Sequence, residues 1–508
     1  MNSTTLKSTE VPLQSTASRA KLLQATFAGA LLPLSFAPFH FPGLALLSFG
    51  LLFLLLKPMP LKRAFQLGFF YGMSFFGIGV SWVYVSIHQY GHLHSAIAVA
   101  ITFIFIAYLS LYTGCFAVSM VWLSKKASTI QRCLLFSALW CLFEYLRAIL
   151  LGGFPWLSVG FGQIDSPLQH LLPLFGVPGV GFITCFLSCL FALSISKQHR
   201  YNYLYLTALI IMMLSPLLLH QKTWTTSQKN TISVGVIQSN LSMRDKWDET
   251  LFWKLLDHYK ARINELLKKK KQLIVLPESA IPVPGGYISD LLDALDDDAK
   301  QKNSAILLGI PFPTTPDPEV FYNAVVGLGE ADGTYFKQHL VAFGEFVPTF
   351  LSSLNRWLAL PPNLVPGRSH QPLIRVHGHP IASLICYELA FPELLRQQLP
   401  LAEWIVSVSD DGWFGHSLAV FQHVQMAQVL SKQTGRYQIL ANNDGLSALI
   451  RDDGQIENIL PAFSAGLLES SITPKIGHTP WSIYGDQPFL WLFCIIVFIY
   501  IIRSLRSR

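Results

Sequence analysis

One cysteine of this sequence is set apart from the other six. Cys386 ends an apolar run in the stretch IASLICYELAFPELLR (381–396) and precedes a helix-like segment. A thiol without a disulfide partner is either buried and inert or retained for reactivity. In the second case the chemistry is nucleophilic attack by the thiolate, which a base or a helix N-terminus favours. The other six cysteines lie in or beside long apolar segments, where cysteine usually behaves as a small buried hydrophobe: Cys115, Cys133, Cys141, Cys185, Cys189 and Cys494.

The segments around Cys386 are typical of strands that alternate with helices. Helical patterns occupy 247–270, 288–302 and 420–435, and the alternation predicts an α/β domain whose sheets are covered by helices. Reactive groups in such domains follow the carboxyl ends of strands, and Glu278, Cys386 and Asp410 all fall there. Eight apolar runs that end in polar or glycine residues are the predicted strands: ISVGVIQSN (232–240), QLIVLPESA (272–280), SAILLGIPF (304–312), NAVVGLG (323–329), IASLICYE (381–388), EWIVSVSDDGWF (403–414), YQILANNDG (437–445) and SALIRDDG (447–454).

The rest of the chain is predicted to be embedded in a membrane. Hydrophobic residues make up 51% of its 508 residues, charged residues only 13%, and the mean hydropathy is +0.41. We therefore expect a membrane domain at 1–220 with about seven spans, a globular domain at 221–484, and a last span with its tail at 485–508. A span needs roughly 20 apolar residues, and about eight segments qualify: 22–39, 42–57, 66–88, 96–124, 132–150, 169–195, 202–220 and 486–503.

Basic residues in the short loops predict the orientation, because lysine and arginine are retained on the cytoplasmic side. The alternate loop HQYGHLH (88–94) carries neither residue type. We therefore expect both termini in the cytoplasm and the globular domain on the opposite face. The basic residues follow the second, fourth and sixth predicted spans: Lys57, Lys62, Arg63, Lys125, Lys126, Arg132, Lys197 and Arg200.

Three blocks of the globular part occur in a recognisable order. They are LIVLPESAIP with Glu278, YFKQHLVAFGEFVP with Lys337 and LICYELAFPELLR with Cys386. In these blocks the chain resembles the nitrilase, or carbon–nitrogen hydrolase, superfamily, whose members use a glutamate, a lysine and a cysteine in that chain order. The resemblance implies an α-β-β-α sandwich for the globular domain.

The membrane half extends this resemblance over nearly the whole chain. The stretch at 143–182, HLVAFGEFVP (339–348) and the spans around the globular domain resemble the apolipoprotein N-acyltransferase family. That resemblance implies transfer of an acyl chain from a phospholipid to the amino group of a lipoprotein's N-terminal diacylglyceryl-cysteine. It also implies a bacterial inner (cytoplasmic) membrane location, a catalytic domain on the periplasmic side, and a monomer that needs no cofactor.

The roles of the three residues follow from acyl-transfer chemistry. Cys386 is the expected nucleophile that carries the acyl chain as a thioester. Glu278 is the expected acid and base, and its alternative is a solvated acid at a strand end. Lys337 is expected to stabilise the oxyanion of each tetrahedral intermediate, and its alternative is an ordinary surface lysine.

Supporting roles are expected for four further residues. The resemblance implies that Glu345 and Glu388 orient the lysine or the cysteine through hydrogen bonds, although Glu388 could simply favour a helix N-terminus. Trp413 and Phe414, in SDDGWFGHS (409–417), are candidate lipid-facing lids, or else core or interfacial anchors. Two departures from the family pattern lie nearby: Asp410 stands where members commonly carry asparagine, and ANNDGLSALI (441–450) lacks the usual arginine.

Two other functions are compatible with these sequence features. A membrane-bound amidase would use the same trio with water as the acceptor. A lipid-binding or transport protein would need no reactive thiol, although charges inside the spans are sparse for an ion pathway. No histidine cluster has the spacing of a zinc site, so no metal is predicted. The net charge of +7 owes much to the cytoplasmic loops and tails and indicates no nucleic-acid partner.

Overall fold

The fold is described here from a computed structural model. It covers residues 13–91, 93–196, 201–246, 248–314, 320–346 and 364–506. The N-terminal tail at 1–12 lies outside these described residues, as do Lys197 and Arg200, on which part of the predicted orientation depends.

Long apolar helices make up the N-terminal part of the chain and its C-terminal end. Within the described residues, five segments are long and apolar enough to cross a membrane, or six if one bent pair counts as a single span. These segments are Ser95–Leu123, Thr129–Gly152, Pro167–Ile195, Asn202–Leu219 and Gln487–Leu505. The helices in this part are Leu13–Leu31, Gly43–Leu55, Leu61–Gly79, Val83–Val85, Ser95–Leu123, Thr129–Ile149, Leu172–Ile195, Asn202–Leu214 and Gln487–Leu505.

The first three predicted spans differ from the helices found there. Leu13–Leu31 starts and ends earlier than expected, and Gly43–Leu55 has only 13 residues, so the count of eight spans remains a prediction. The predicted span at 66–88 is bent, because the helical segments Leu61–Gly79 and Val83–Tyr90 meet at an angle of 62°, and it stays a prediction that this pair crosses the membrane as one span. Hydropathy does not detect this break, since the residues on both sides of it are apolar.

Close packing of small residues joins two of the long helices. Gly72, on Leu61–Gly79, faces Thr113 and Ser110 on Ser95–Leu123 so closely that a Cβ on Gly72 would overlap them. Small residues let helix backbones approach in this way where no hydrophobic force drives membrane helices together.

Two larger sheets form the centre of the globular part, and all eight predicted strands occur in them. The strands of the globular part are β1 Thr225–Ser227, β2 Ile232–Gln238, β3 Leu273–Val275, β4 Ala305–Pro313, β5 Phe321–Gly329, β6 Ala331–Asp332, β7 Thr334–Phe336, β8 Arg375–Val376, β9 His379–Pro380, β10 Ala382–Ile385, β11 Ile405–Ser409, β12 Gln438–Asn442, β13 Ala448–Ile450, β14 Ile456–Ile459, β15 Gly466–Ile472 and β16 Lys475–Gly477. The six-stranded sheet has the order β15-β2-β3-β4-β5-β7, with β2, β3 and β4 parallel. The five-stranded sheet has the order β10-β11-β12-β13-β14, with β10, β11 and β12 parallel.

Three apolar cores hold the sheets and helices together. One core joins side chains of both sheets, including Val236 of β2 and Val408 of β11. A second lies between the six-stranded sheet and its helices, and a third between the five-stranded sheet and its own. The predicted α/β domain is thus confirmed. Its helices are Met243–Lys246, Phe252–Lys268, Ser289–Gln301, Pro392–Arg396, Ala419–Thr434 and Pro480–Tyr484.

Candidate active site

Cys386 lies directly after β10, at the start of a short 3₁₀ turn. Its φ of 53° is left-handed, a conformation that costs free energy for a residue with a side chain and that recurs at functional sites. The side chain is largely buried, with 8% of the residue exposed. The parallel register of β10 and β11 brings Cys386 and Asp410 to the same edge of the five-stranded sheet.

Glu278 and Lys337 meet beside this edge. Lys337 Nζ donates to Glu278 Oε1 at 3.3 Å and to Glu345 Oε1 at 2.8 Å. Asn323 Nδ2, on β5, donates to the same Glu278 oxygen at 2.7 Å. Only 1% of Lys337 is exposed, so this lysine is not an ordinary surface residue. Gly309 on β4 permits the approach, since a Cβ there would overlap the backbone of residues 277–279.

The charges in this cluster act on one another. Burial raises the pKa of the Cys386 thiol well above its usual value, the Glu278 carboxylate raises it further, and the Lys337 ammonium opposes both. Burial lowers the pKa of Lys337, but Glu278 and Glu345 outweigh it and raise that pKa well above its usual value. Lys337 is therefore a fixed positive charge, while Cys386 rests as a thiol that needs a base to remove its proton.

Glu388 joins the segment that carries Cys386 to the segment that carries Lys337. Its two carboxylate oxygens accept backbone N–H bonds from Ile385 at 2.8 Å, Gln338 at 2.6 Å and His339 at 3.1 Å. Tyr335 Oη also donates to it at 3.1 Å. Burial raises the pKa of Glu388 to about 7, although the backbone donors favour its charged form. These hydrogen bonds therefore connect the turn that carries Cys386 to the segment that follows Lys337.

Asp410 forms a buried ion pair that sequence reasoning did not anticipate. Its carboxylate contacts Lys246 Nζ, and both residues are almost fully buried. The same ammonium donates to the Glu278 backbone oxygen at 2.8 Å, and the Asp410 N–H donates to Glu278 Oε2 at 3.0 Å. Asp410 thus has a compensating cation, and both members of the pair hold Glu278 in place through hydrogen bonds.

His423 is a second buried group that the sequence did not single out. It lies on the helix Ala419–Thr434, where Nε2 is 3.0 Å from the Cys386 carbonyl oxygen and Nδ1 is 3.0 Å from Asp411 Oδ1. A carbonyl and a carboxylate only accept hydrogen bonds, so both ring nitrogens donate and the ring is an imidazolium. Burial lowers the pKa of His423, but Asp411 and the Cys386 carbonyl outweigh it and raise that pKa. Its spacing from Cys386 in sequence gives no signal for this contact.

Trp413 and Phe414 lie against the membrane half. Phe414 packs edge-on against the Trp82 ring, with centroids 4.8 Å apart, and also contacts Trp156 and His423. Trp413 remains 38% exposed. The Trp413 ring packs against Tyr90, with centroids 5.7 Å apart, so both aromatic residues contact the membrane half.

A loop between two of the long apolar helices reaches the neighbours of Cys386 and Lys337 in the chain. Tyr387 Oη donates to the Gly153 carbonyl at 3.0 Å, and His339 Nε2 is 3.1 Å from the Gly152 carbonyl. Arg147 Nη1 supports this loop by donating to the Phe154 and Trp156 carbonyls at 2.6 and 2.5 Å. The membrane half thus contacts residues next to both Cys386 and Lys337.

Glu144 supports the same loop from the helix that carries Arg147. Glu144 Oε1 accepts from the Val159 N–H at 3.1 Å and from Trp140 Nε1 at 2.9 Å. The pairing that the spacing of Glu144 and Arg147 suggests is not found among the described ion pairs. Each side chain instead binds a different part of the loop.

The chain matches two family models in succession. They are the apolipoprotein N-acyltransferase N-terminal domain over residues 28–190 and the carbon–nitrogen hydrolase domain over residues 233–479. Among solved structures, the carbon–nitrogen hydrolase from Helicobacter pylori G27 aligns with 55% of this chain and 95% of its own, at 14% identity and a TM-score of 0.37. The two family matches define a carbon–nitrogen hydrolase domain joined to a membrane domain.

Relatives narrow this class further. The apolipoprotein N-acyltransferase of Coxiella burnetii is 37% identical over 489 residues, which cover 94% of this chain and 99% of the relative. That of Pseudomonas aeruginosa is 35% identical over 482 residues, which cover 92% and 93%. At this identity and coverage, the chain belongs to the apolipoprotein N-acyltransferase family.

Proposed function

We propose that this protein transfers an acyl chain from a membrane phospholipid to the N-terminal amine of diacylglyceryl-cysteine in apolipoproteins. The observation that carries the proposal is the buried contact between Glu278 and Lys337 beside Cys386, in a chain of the apolipoprotein N-acyltransferase family. The transfer proceeds in two half-reactions through a thioester, and no cofactor takes part.

The first half-reaction loads the acyl chain onto the cysteine. Glu278 accepts the thiol proton as the Cys386 sulfur attacks the ester carbonyl, and the oxyanion forms beside the Lys337 ammonium. The intermediate collapses with cleavage of the ester C–O bond. Glu278 returns the proton to the departing lysophospholipid oxygen, which leaves a neutral thioester. The raised pKa of Cys386 makes a base necessary for this step.

The second half-reaction passes the acyl chain to the amine. The amine nitrogen of the acceptor attacks the thioester carbonyl while Glu278 takes a proton from it. Lys337 again faces the oxyanion. The C–S bond then breaks, the thiolate recovers the proton, and an amide is formed.

Neighbouring residues hold this geometry and limit the access of water to the site. Glu345 fixes the Lys337 ammonium at 2.8 Å, and Glu388 fixes the loops on either side of it. Trp413 and Phe414 are the proposed contacts for the lipid. A thioester must be shielded from water for transfer to outcompete hydrolysis, and a site covered by the membrane half meets this need.

The domain arrangement belongs to the same proposal. We assign 1–220 to the membrane domain, 221–484 to a four-layer α-β-β-α catalytic domain and 485–508 to the last span, with about eight spans in all. The catalytic domain faces the periplasm from the bacterial inner membrane, as the basic loop residues favour. The protein works as a monomer.

Intact-protein mass spectrometry tests the thioester directly. Purified full-length protein is incubated with phospholipid, with Cys386→Ala as the comparison and Cys494→Ala as a matched control for an exposed cysteine. We expect wild type and Cys494→Ala to gain one acyl mass that hydroxylamine removes, and Cys386→Ala to gain none. A diacylglyceryl-cysteine peptide should then discharge the adduct and appear N-acylated.

Other outcomes of the same experiment would support one of the two alternative functions. Discharge by water alone, with free fatty acid and no N-acylated peptide, would favour the amidase. An adduct on neither wild type nor Cys386→Ala, with lipid still bound, would overturn the nucleophile assignment and favour a binding or transport protein.

A further inference from the structure

A cavity separate from the acyl-transfer site lies where two candidate spans meet the globular part. Its volume is about 590 Å³. His170, near the start of the segment Pro167–Ile195, lines the cavity, as does His220, which directly follows the segment Asn202–Leu219. The two imidazole rings contact each other at 5.3 Å, so the ends of the two spans adjoin. Lys432, on the helix Ala419–Thr434, lines the wall on the globular side.

Three polar side chains of this cavity have no hydrogen-bond partner within the described part of the chain. Two are histidines: His170, only 7% exposed, and His220, which is exposed. Lys432 is also partly buried and has neither a hydrogen bond nor an ion pair among these residues, and burial lowers its pKa. These side chains therefore have free hydrogen-bonding capacity that a ligand with acceptor oxygens could use in the cavity.

The charged residues around the cavity indicate whether its ligand is an anion or a cation. Lys475 pairs with Asp452 and Arg451 pairs with Asp453, each at 2.7 Å, so these four residues largely neutralise one another. Two further lysines line the cavity: Lys222, whose ammonium lies 5.3 Å from the Trp224 ring centroid, and Lys432. One acid, the exposed Glu457, opposes them. Two cations and two imidazoles suit an anion with several acceptor oxygens, such as a phosphate group.

The apolar surface of the span that ends at the cavity favours a lipid as the source of the phosphate. The last turns of Asn202–Leu219 expose large aliphatic side chains, among them Ile211 at 61% and Leu218 at 88%. A phosphate that enters the cavity from a lipid would leave its acyl chains against this face of the span. A free anion would gain nothing from these side chains.

We propose that the cavity binds the phosphate headgroup of an anionic membrane lipid. Lys432 and His170 are the principal contacts, and the chains of the lipid lie along Asn202–Leu219. The site is distinct from the one that contains Cys386 and does not depend on the acyl-transfer function. It would fix the outer ends of two spans to the globular part through a bound lipid.

Native mass spectrometry of the full-length protein with added phosphatidylglycerol tests this site. Cys386→Ala is used as the background so that no acyl transfer occurs. We expect Lys432→Gln to weaken the binding of one phosphatidylglycerol by about 10-fold, the loss expected for one charge-assisted hydrogen bond. Lys432→Arg should stay within about 3-fold of the background, because it keeps the charge. Lys260→Gln, which changes an exposed lysine on Phe252–Lys268, is the matched control and should have no effect.

Two added ligands distinguish the sources of the anion. Zwitterionic phosphatidylcholine should bind this site more weakly than phosphatidylglycerol, and millimolar inorganic phosphate should not displace the lipid. Equal binding by Lys432→Gln and the background would overturn the proposal, as would equal binding of the two lipids. Displacement by inorganic phosphate would show a free-anion site and would overturn the lipid assignment.

Discussion

Replacement of Glu388 by glutamine removes one acceptor oxygen from the centre of a four-donor cluster. The best orientation of the amide keeps its oxygen on the Gln338 and His339 N–H groups and turns its NH₂ toward the Ile385 N–H. One buried N–H then loses its acceptor, which costs about 1–3 kcal/mol. The two remaining backbone bonds and the bond from Tyr335 Oη change from a charged to a neutral acceptor. We expect a total loss of about 2–4 kcal/mol in the free energy of unfolding.

The catalytic effect should be larger than this stability loss alone suggests. Ile385 precedes Cys386, and Gln338 follows Lys337, so Glu388 fixes the position of the proposed nucleophile relative to the lysine proposed to stabilise the oxyanion. A shift of about 1 Å between such groups can cost about 100-fold in rate. We therefore expect Glu388→Gln to slow acyl-adduct formation by about 10- to 100-fold at pH 8 while the protein stays folded.

The pH dependence gives this prediction a definite sign. Glutamine resembles the protonated acid, and the pKa of Glu388 is raised to about 7 by burial. As the pH falls through about 7, wild type should lose the charged form and approach the rate of the variant. The ratio of the two rates should therefore be largest above pH 7 and shrink below it.

Time-resolved intact-protein mass spectrometry measures adduct formation from pH 5.5 to 8.5, and thermal denaturation in detergent measures stability. Glu249→Gln, which changes an exposed glutamate in a short 3₁₀ turn, is the control. A rate within 2-fold of wild type in Glu388→Gln at pH 8 would refute the positioning argument, even if the variant unfolds at a lower temperature. A rate ratio that is constant with pH would refute the assignment of the charged form.

Three further substitutions test neighbouring groups. Lys337→Met leaves two buried carboxylates without their cation and removes the oxyanion contact, so adduct formation should fall by about 100- to 1000-fold; a drop below 5-fold in the same mass-spectrometric assay would contradict that role. Asp410→Asn leaves Lys246 without its charged partner and should lower the free energy of unfolding by about 2–4 kcal/mol in denaturant titration. A second change, Lys246→Gln, should recover part of the loss, and additive losses would exclude the coupling. His423→Gln replaces the charged ring that donates to both Asp411 and the Cys386 carbonyl with a neutral amide, so adduct formation should slow by at least about 10-fold. Unchanged kinetics in this variant would show that the imidazolium has no role at Cys386.

Much of the globular fold could be predicted from the sequence. The apolar runs that end at Glu278, Cys386 and Asp410 are strands because their length and punctuation are local properties of the chain. Alternation with helices then required parallel strands, whose carboxyl ends share one edge of a sheet. The meeting of Glu278 and Lys337 was anticipated only through the resemblance, since 59 residues separate them.

The sequence by itself determined which segments are strands, which are apolar enough for a membrane, and which residue types could transfer an acyl group, because periodicity, hydropathy and side-chain chemistry are local. The tertiary structure alone decided that the helix pair at 61–90 is bent, that His423 supports the Cys386 carbonyl, and that Lys246 neutralises Asp410. It also placed the loop at 150–156 against Tyr387, the residue that follows Cys386. These contacts join residues far apart in the chain, and burial sets their strength, so no local pattern records them.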